Sequence, residues 1–337
     1  MLPAIGDKSL RWSTLQQLLE AEVAVEQGDP GLDRRLTVAS HLYAAWTEKG
    51  TCPAALAERF VMEFMARNKP VIIQGLTEDW RACKEWVRPD GSPDLAFMQR
   101  NFGDAVIWAT DTSSQDAGYG GGARQRMTLR DYVTWWKRYK AGKVQGLLYL
   151  KDWHFADEFP QYHAYRLPVY FHSDWLNDYF DHRRLFVYLG PKGSFTPLHA
   201  DVLRSYSWST NVCGRKRWQM LPPRHTHLLF DSFKRQMAPS FNVPDDSSTG
   251  RFPNLARARE LMIECIQEPG ETIFVPSGWH HCVENLEDTL SINHNWLNAH
   301  NVHWALALLQ GERTDAVAAI EDCRSACSPS EFESLNA

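Results

Sequence analysis

The sequence predicts an α+β fold, an antiparallel double-sheet barrel of the jelly-roll type with flanking helices. Three observations carry this. The first half of the chain reads mainly as helix. From Arg184 onward apolar residues recur with a period of two, and Gly/Pro turn signals cut that half into short strands.

The elements follow in order. Residues 8–50 read as helical, with Leu15, Leu18, Leu19, Val23 and Val25 as apolar positions and a break at Gly28-Asp29-Pro30-Gly31. A second helix is expected from Asp33 to Glu48, ended by Lys49-Gly50, and an amphipathic helix from Pro53 to Asn68. Pro70-Val71-Ile72-Ile73 has the β-branched character of a buried strand. Gly118 to Gly122 lacks the Gly-Lys-Ser/Thr ending of a phosphate loop and reads as a surface loop. Met127 to Tyr132 opens a helix rich in aromatics, with Trp135, Trp136 and Tyr139. Phe186 to Leu189 is a strand that meets a turn at Gly190-Pro191-Lys192-Gly193, and Thr196 to Asp201 is the next strand. Lys216 to Leu221 is a strand stopped by Pro222-Pro223, and the polar, weakly periodic residues 224–262 read as an insertion. Glu271 to Pro276 and Leu290 to Trp296 are the last clear strands. Such a succession suits a jelly-roll or cupin-like barrel.

Composition sets the bounds. The chain has 337 residues, 44% hydrophobic and 23% charged, ordinary for a globular protein with a sizeable core. A net charge of −5 argues against a broad nucleic-acid footprint, and Arg215-Lys216-Arg217 is the one candidate basic patch. Seven cysteines at irregular spacings do not form a disulfide framework, and Cys323 and Cys327 read as structural. Met1 to Asp7 carries no basic n-region followed by an apolar run, and no apolar stretch is long enough to span a bilayer. The expectation is a reducing, intracellular setting without a membrane anchor.

The chemistry centres on Thr196-Pro197-Leu198-His199-Ala200-Asp201. Side chains at i and i+2 of a strand share a face, so His199 and Asp201 are expected to grip one ion together. Pro276-Ser277-Gly278-Trp279-His280-His281 supplies a further imidazole. His280 and His281 are adjacent, so only one of them points inward on extended backbone. Two histidines and one carboxylate on one face of a metal form the ligand set of non-haem Fe(II) oxygenases. Zinc is the formal alternative, since such sets also serve catalytic zinc. Lys216 shares a strand face with Trp218 and Met220, both apolar, and a lysine there needs an anionic partner, which a carboxylate cosubstrate supplies. Asn295 holds a comparable position on the last strand, its amide suited to a second carboxylate.

Four motifs in this order resemble the jumonji-C (JmjC) family. They are Thr196 to Asp201, Gly214-Arg215-Lys216-Arg217-Trp218, Val275-Pro276-Ser277-Gly278-Trp279-His280-His281 and Asn293-His294-Asn295-Trp296. The resemblance covers roughly residues 52–310 and implies a double-stranded β-helix with a 2-oxoglutarate- and Fe(II)-dependent dioxygenase activity, O2 being the third reactant. The expected organisation is a helical segment over 1–51, this domain with its barrel core at about 184–300, and a tail over 311–337. Carried over by position, His199, Asp201 and His281 are the metal ligands and catalytic residues. Lys216 meets the distal carboxylate of 2-oxoglutarate with help from Thr196, and Asn295 lies near the keto-acid end. Where many family members place an asparagine, this chain offers Ser207 or Ser209.

Leu148 to His154, Leu167 to Phe171, Ser173 to Asn177, Arg204 to Ser209 and Asn211 to Lys216 resemble one branch of the family, protein lysyl hydroxylases that act on the eukaryotic peptide-release factor. That likeness implies a protein substrate, the release factor, and a role in translation termination, with no direct nucleic-acid or membrane partner. The expected location is the cytoplasm, with the nucleus as a second compartment. A histone lysine demethylase and a catalytically silent scaffold are the competing readings. No chromatin-reader module, zinc cluster or basic tail supports the first, and an intact metal set with Lys216 opposes the second. Asp174 is the candidate carboxylate for receiving a substrate lysine.

Overall fold

The computed structural model describes residues 35–37, 59–113, 122–179, 185–243, 250–321, 324 and 328–331. Eight strands form the barrel. Four belong to the larger sheet: β6 (Leu185–Gly190), β8 (Tyr206–Cys213), β11 (Thr272–Val275) and β13 (Thr289–Trp296). Four make the smaller one: β7 (Phe195–His199), β9 (Lys216–Leu221), β10 (Ile263–Gln267) and β12 (His280–Asn285). The larger sheet is extended on one side by β2 (Val71–Gln74) and β1 (Arg35–Thr37). On the other side β5 (Leu148–Trp153), β3 (Val106–Asp111) and β4 (Arg124–Thr128) extend it. The barrel strands pair antiparallel throughout, as the alternating pattern predicts.

Alternation divides each strand between an outer face and the barrel interior. The outer face of the larger sheet carries Leu148, Leu150, Val187, Leu189, Trp208, Ile292 and Trp296, buried beneath the aromatic-rich N-terminal elements. Trp208 stacks on Phe171 at 5.4 Å and on His294 at 4.3 Å. The helix predicted from Met127 is α3 (Leu129–Lys140), after α1 (Arg81–Glu85) and α2 (Leu95–Phe102). Its Tyr132 hydroxyl reaches the Leu189 carbonyl of β6 at 2.7 Å. The outer face of the smaller sheet, with Phe195, Leu198, Leu221 and Cys282, is covered by Leu228, Leu229, Phe241 and Leu255. The segment read as an insertion therefore supplies the lid of a second hydrophobic layer.

Two expectations change. The helix expected across Asp33–Glu48 gives way at Arg35–Thr37 to a strand parallel to β2. That pairing completes the hydrogen bonds of an otherwise open sheet edge, a tertiary gain that outweighs modest helix propensity. The rest of the first 58 residues, most of the Gly118–Gly122 loop, and Cys323 and Cys327 lie outside the described residues. The predicted helix ending near Asn68 is present where described, but its last turns over Val61–Met65 are wound as a π-helix, with Ala66 N–H bonded to the Val61 carbonyl at 2.8 Å. Six further strands, β3, β4, β5, β8, β10 and β12, have no counterpart among the elements read from the sequence.

The end of that π-helix holds the loop before β12. Asn68, at φ 50°, donates to the Ser277 carbonyl and accepts from the Ser277 N–H, each at 2.9 Å. The Trp279 indole N–H reaches the Asn68 carbonyl at 2.8 Å. Gly278 sits at φ 73°, where a Cβ would lie 3.1 Å from the Trp304 ring. Removing both side-chain bonds of this buried amide leaves two backbone groups unpaired, so Asn68→Ala is expected to cost about 1–3 kcal/mol. A lowered urea midpoint with unchanged m-value is the expected result.

Candidate metal centre and anion pocket

His199 ends β7 and His281 is the second residue of β12, and the two are directly paired across the strands. Their rings lie 4.4 Å apart between centroids. Asp201 follows two residues beyond the end of β7, at the entry to a 3-10 turn over Val202–Arg204. The expectation that His199 and Asp201 share a strand face is thus met in proximity, but by a turn. Ligand atoms of His199, Asp201 and His281 all lie within 4.8 Å of one another. Among the described residues this is the only such group of three.

The local bonding prepares these groups as ligands. His199 Nδ1 is 2.8 Å from the Pro197 carbonyl and His281 Nδ1 is 3.0 Å from the Trp279 carbonyl. A carbonyl only accepts, so each Nδ1 carries the hydrogen and each Nε2 keeps its lone pair. Burial, and then His281 beside it, hold the His199 imidazole far below the usual histidine range. Ser207, on β8 across the barrel, donates to Asp201 Oδ2 at 2.5 Å and steadies the carboxylate. The two competing histidines are resolved by alternation. His281 is buried in the interior, packed 5.6 Å from Trp218, whereas His280 faces the outer layer with Nδ1 3.2 Å from the Thr226 hydroxyl.

Lys216 opens β9, and its inward side chain is 2% exposed. Its ammonium donates to Ser291 Oγ at 2.8 Å and to Tyr149 Oη at 3.4 Å. No carboxylate is among these partners, so burial pushes its pKa down to about 7. Ser209 Oγ, on the strand next to Ser291, is buried and makes no hydrogen bond. A buried cation and an idle hydroxyl in one pocket suit an anionic guest. Thr196 is half-buried on β7, and no hydrogen bond joins it to Lys216. Asn295 is buried opposite Ser207 and donates to Ser205 Oγ at 3.2 Å. Asp174 accepts from the Asn177 N–H at 3.0 Å and from its amide, capping a short helix over Trp175–Tyr179. Sequence reasoning gave no role to Tyr149, Ser291 or Tyr188. Their signal was a polar residue recurring at every second position of strands whose other face is apolar.

A scan of family models matches residues 57–301 to the cupin-like domain. The chain belongs to the cupin-like jumonji-C family. It is 43% identical to the arginine-specific demethylase JMJ20 of Arabidopsis thaliana over 82% of this chain and 62% of that protein. It is 42% identical to the human 2-oxoglutarate and iron-dependent oxygenase JMJD4, over 75% and 62%. A Drosophila melanogaster homologue of the latter is 32% identical over 79% and 68%. The chain spans about three-fifths of the length of the first two of these cupin-like relatives.

Because the folded-state pKa of Lys216 lies below the ordinary 10.5, the charged lysine opposes folding at and below pH 7, and that opposition fades as pH rises toward 10.5. Lys216→Met is therefore expected to raise stability by up to about 4 kcal/mol at neutral pH. Thermal unfolding should show the gain at pH 7 and its loss near pH 10.

Proposed function

We propose that this chain is a 2-oxoglutarate- and Fe(II)-dependent protein hydroxylase, with a lysine of the peptide-release factor as its target. The observation that carries the reading is the pairing of the His199–Asp201–His281 cluster with a buried lysine that lacks an anion. The names of the animal relatives, as oxygenases dependent on 2-oxoglutarate and iron, support it and favour iron over zinc. His199, Asp201 and His281 would hold the metal, leaving other positions open. Lys216, Ser291 and Tyr149 would hold the distal carboxylate of 2-oxoglutarate, with Thr196 and Asn295 as further contacts. Bound there, iron and cosubstrate supply O2 activation: 2-oxoglutarate is oxidised to succinate and CO2, and the second oxygen atom enters a substrate C–H bond.

The chain's own contribution is orientation and shielding. The carbonyls of Pro197 and Trp279 fix both imidazoles as Nε2 donors. Ser207 keeps one oxygen of Asp201 occupied, which would leave the other to hold the metal. Trp218, which packs on His281, belongs to an apolar cluster with Met220, Val283 and Trp279 that would shield a bound metal from water. The release factor works in the cytoplasm, and we propose that compartment for this enzyme, with the nucleus as a second. Demethylation is the second reading, favoured by the name of the Arabidopsis relative. It needs the same C–H hydroxylation on an N-methyl group, followed by loss of formaldehyde.

The direct test incubates the protein with Fe(II), 2-oxoglutarate, ascorbate and release factor, beside a His199→Ala control, and follows peptides by mass spectrometry. One added oxygen on a lysine, absent with the control, is expected. Loss of a methyl group from a methylated residue would instead favour demethylation, and succinate release without modification would remove the release factor as substrate. Ser207→Ala is expected to weaken Mn(II) binding by about 10–100-fold in calorimetry while leaving the thermal midpoint nearly unchanged. Cosubstrate binding should take up a proton above pH 7, because the bound carboxylate restores the charge of Lys216. The 2-oxoglutarate KM should accordingly rise between pH 7 and 9.

A further inference from the structure

Gln267 ends β10, where the chain leaves the smaller sheet, and a turn over 268–271 carries it into β11 of the larger one. It lies directly opposite Lys216 across the β9–β10 pair and is wholly buried. Both ends of its amide are engaged. Oε1 accepts from the Trp218 indole N–H at 2.9 Å, and Nε2 donates to the Ser209 and Glu271 carbonyls, each at 2.8 Å. The turn that supplies the second carbonyl is itself held. Glu271 accepts at its carboxylate from the Gln74 amide at 2.6 Å and from the Glu268 N–H at 2.9 Å. One side chain thus ties a residue of β9 to β8 and to the crossing between the sheets.

Trp218 is what this tie holds at the site. β9 presents Lys216, Trp218 and Met220 to the interior. Met220 pairs with His281 and Lys216 with Asn285, so Trp218 lies midway between the metal ligands and the anion pocket. Four strand steps of about 3.3 Å set those two levels about 13 Å apart. The indole packs 5.6 Å from the His281 ring and against Ile72, Ile273 and Val283. Its only polar atom is the N–H, and a bond from it to an anchored acceptor selects one orientation of the ring.

A ligand that spans from the metal to Lys216 passes along this ring. 2-Oxoglutarate and 2-oxoadipate carry the same end groups and differ by one methylene. The wall between the two anchors is therefore what tells them apart. Both amide hydrogens of Gln267 are spent on carbonyls, so it offers none to a carboxylate and acts through its neighbour. We infer that Gln267 is a positioning residue that, through the Trp218 indole, sets the length of 2-oxo dicarboxylate the pocket admits. The inference rests on the reading of this pocket as a 2-oxoglutarate site.

The test loads the full chain with Mn(II) and measures 2-oxoglutarate and 2-oxoadipate binding by calorimetry. Wild type, Gln267→Met, Trp218→Phe and the double variant are compared. Wild type is expected to favour 2-oxoglutarate by at least about tenfold, as one methylene in a fitted pocket allows. Gln267→Met should bring that ratio to about threefold or less, with Mn(II) affinity in the absence of either acid within about twofold of wild type. Trp218→Phe removes the N–H but not the ties of Gln267 to Ser209 and Glu271, and should lower the ratio too. The double variant should then match Trp218→Phe, since Gln267 has no indole left to hold. A purely structural Gln267 would lower the thermal midpoint and weaken both acids equally with the ratio kept, and that result would overturn the inference. A wild-type ratio near one would also overturn it, as would a further fall from Trp218→Phe to the double variant. Should Gln267→Met not fold, Trp218→Phe decides alone: an unchanged ratio overturns the inference and a lowered one supports it. Absence of 2-oxoglutarate binding to the Mn(II)-loaded wild type would sink the cosubstrate reading itself, whereas lost preference with binding intact sinks only the role of Gln267.

Discussion

The structure turns on one cross-strand pair. His199 and His281 lie far apart in sequence and meet because β7 and β12 pair in a register that sets them opposite each other. A slip of one residue would send His281 to the outer layer and bring His280 in, since successive side chains on a strand alternate faces. The register is held from several directions. Leu198 and Cys282 are buried in the outer hydrophobic layer, so a slip would expose them or bury polar neighbours. Asn68 and the Trp279 indole fix the chain just before β12, and the Ser194 and Asn285 backbones bond to each other near the far end of the pair. The candidate metal site is therefore a by-product of how the smaller sheet satisfies its hydrophobic face.

The interior between the sheets has two characters. Around Trp218, Met220, Ile273 and Val283 it is apolar and close-packed. Toward β5, β6 and β13 it carries Tyr149, Tyr188, Lys151, Ser291 and Asn293 on inward positions. A polar interior of this kind lowers stability, and the fold offsets it on the opposite face of the same strands, where five tryptophans are almost wholly buried. Strands β5, β6, β8 and β13 thus contribute stability on one face and the polar groups of the pocket on the other. That division explains why a sheet with such an expensive inner face remains well packed.

Much of this was legible in the sequence where a residue conflicts with its local pattern. Lys216 between apolar inward neighbours, and two imidazoles next to strand boundaries, pointed to the site because burial of charge is rare without a purpose. Five of the eight barrel strands, β6, β7, β9, β11 and β13, were readable from apolar residues between turn signals, whereas β8, β10 and β12 were not. What could not be read depended on contacts between distant segments. Ser207 looks like any strand serine until Asp201 is brought to it, and Asn68 like any residue ending a helix until Ser277 arrives. The strand at Arg35–Thr37 exists through its partner, not through local preference. Asp174, offered as a substrate carboxylate, is spent on capping a helix, a role its neighbour Asn177 reveals only in three dimensions.

The turn after His199 shows how the fold gains a ligand beyond its strand. Leu203 and Arg204 both adopt left-handed conformations, at φ 54° and 48°, strained for residues with side chains. The turn closes on itself through bonds from Arg204 N–H to the Asp201 carbonyl and from Ser205 N–H to the Val202 carbonyl, each at 3.0 Å. The tight turn starts β8 early enough for Ser207 to reach the carboxylate, so backbone strain in two residues is exchanged for a fixed ligand. The bulge in β5 places another left-handed residue, Asp152 at φ 58°, where its register with β6 shifts. Strain at Leu203 and Arg204 is thus opposed by the packed outer faces that frame the site.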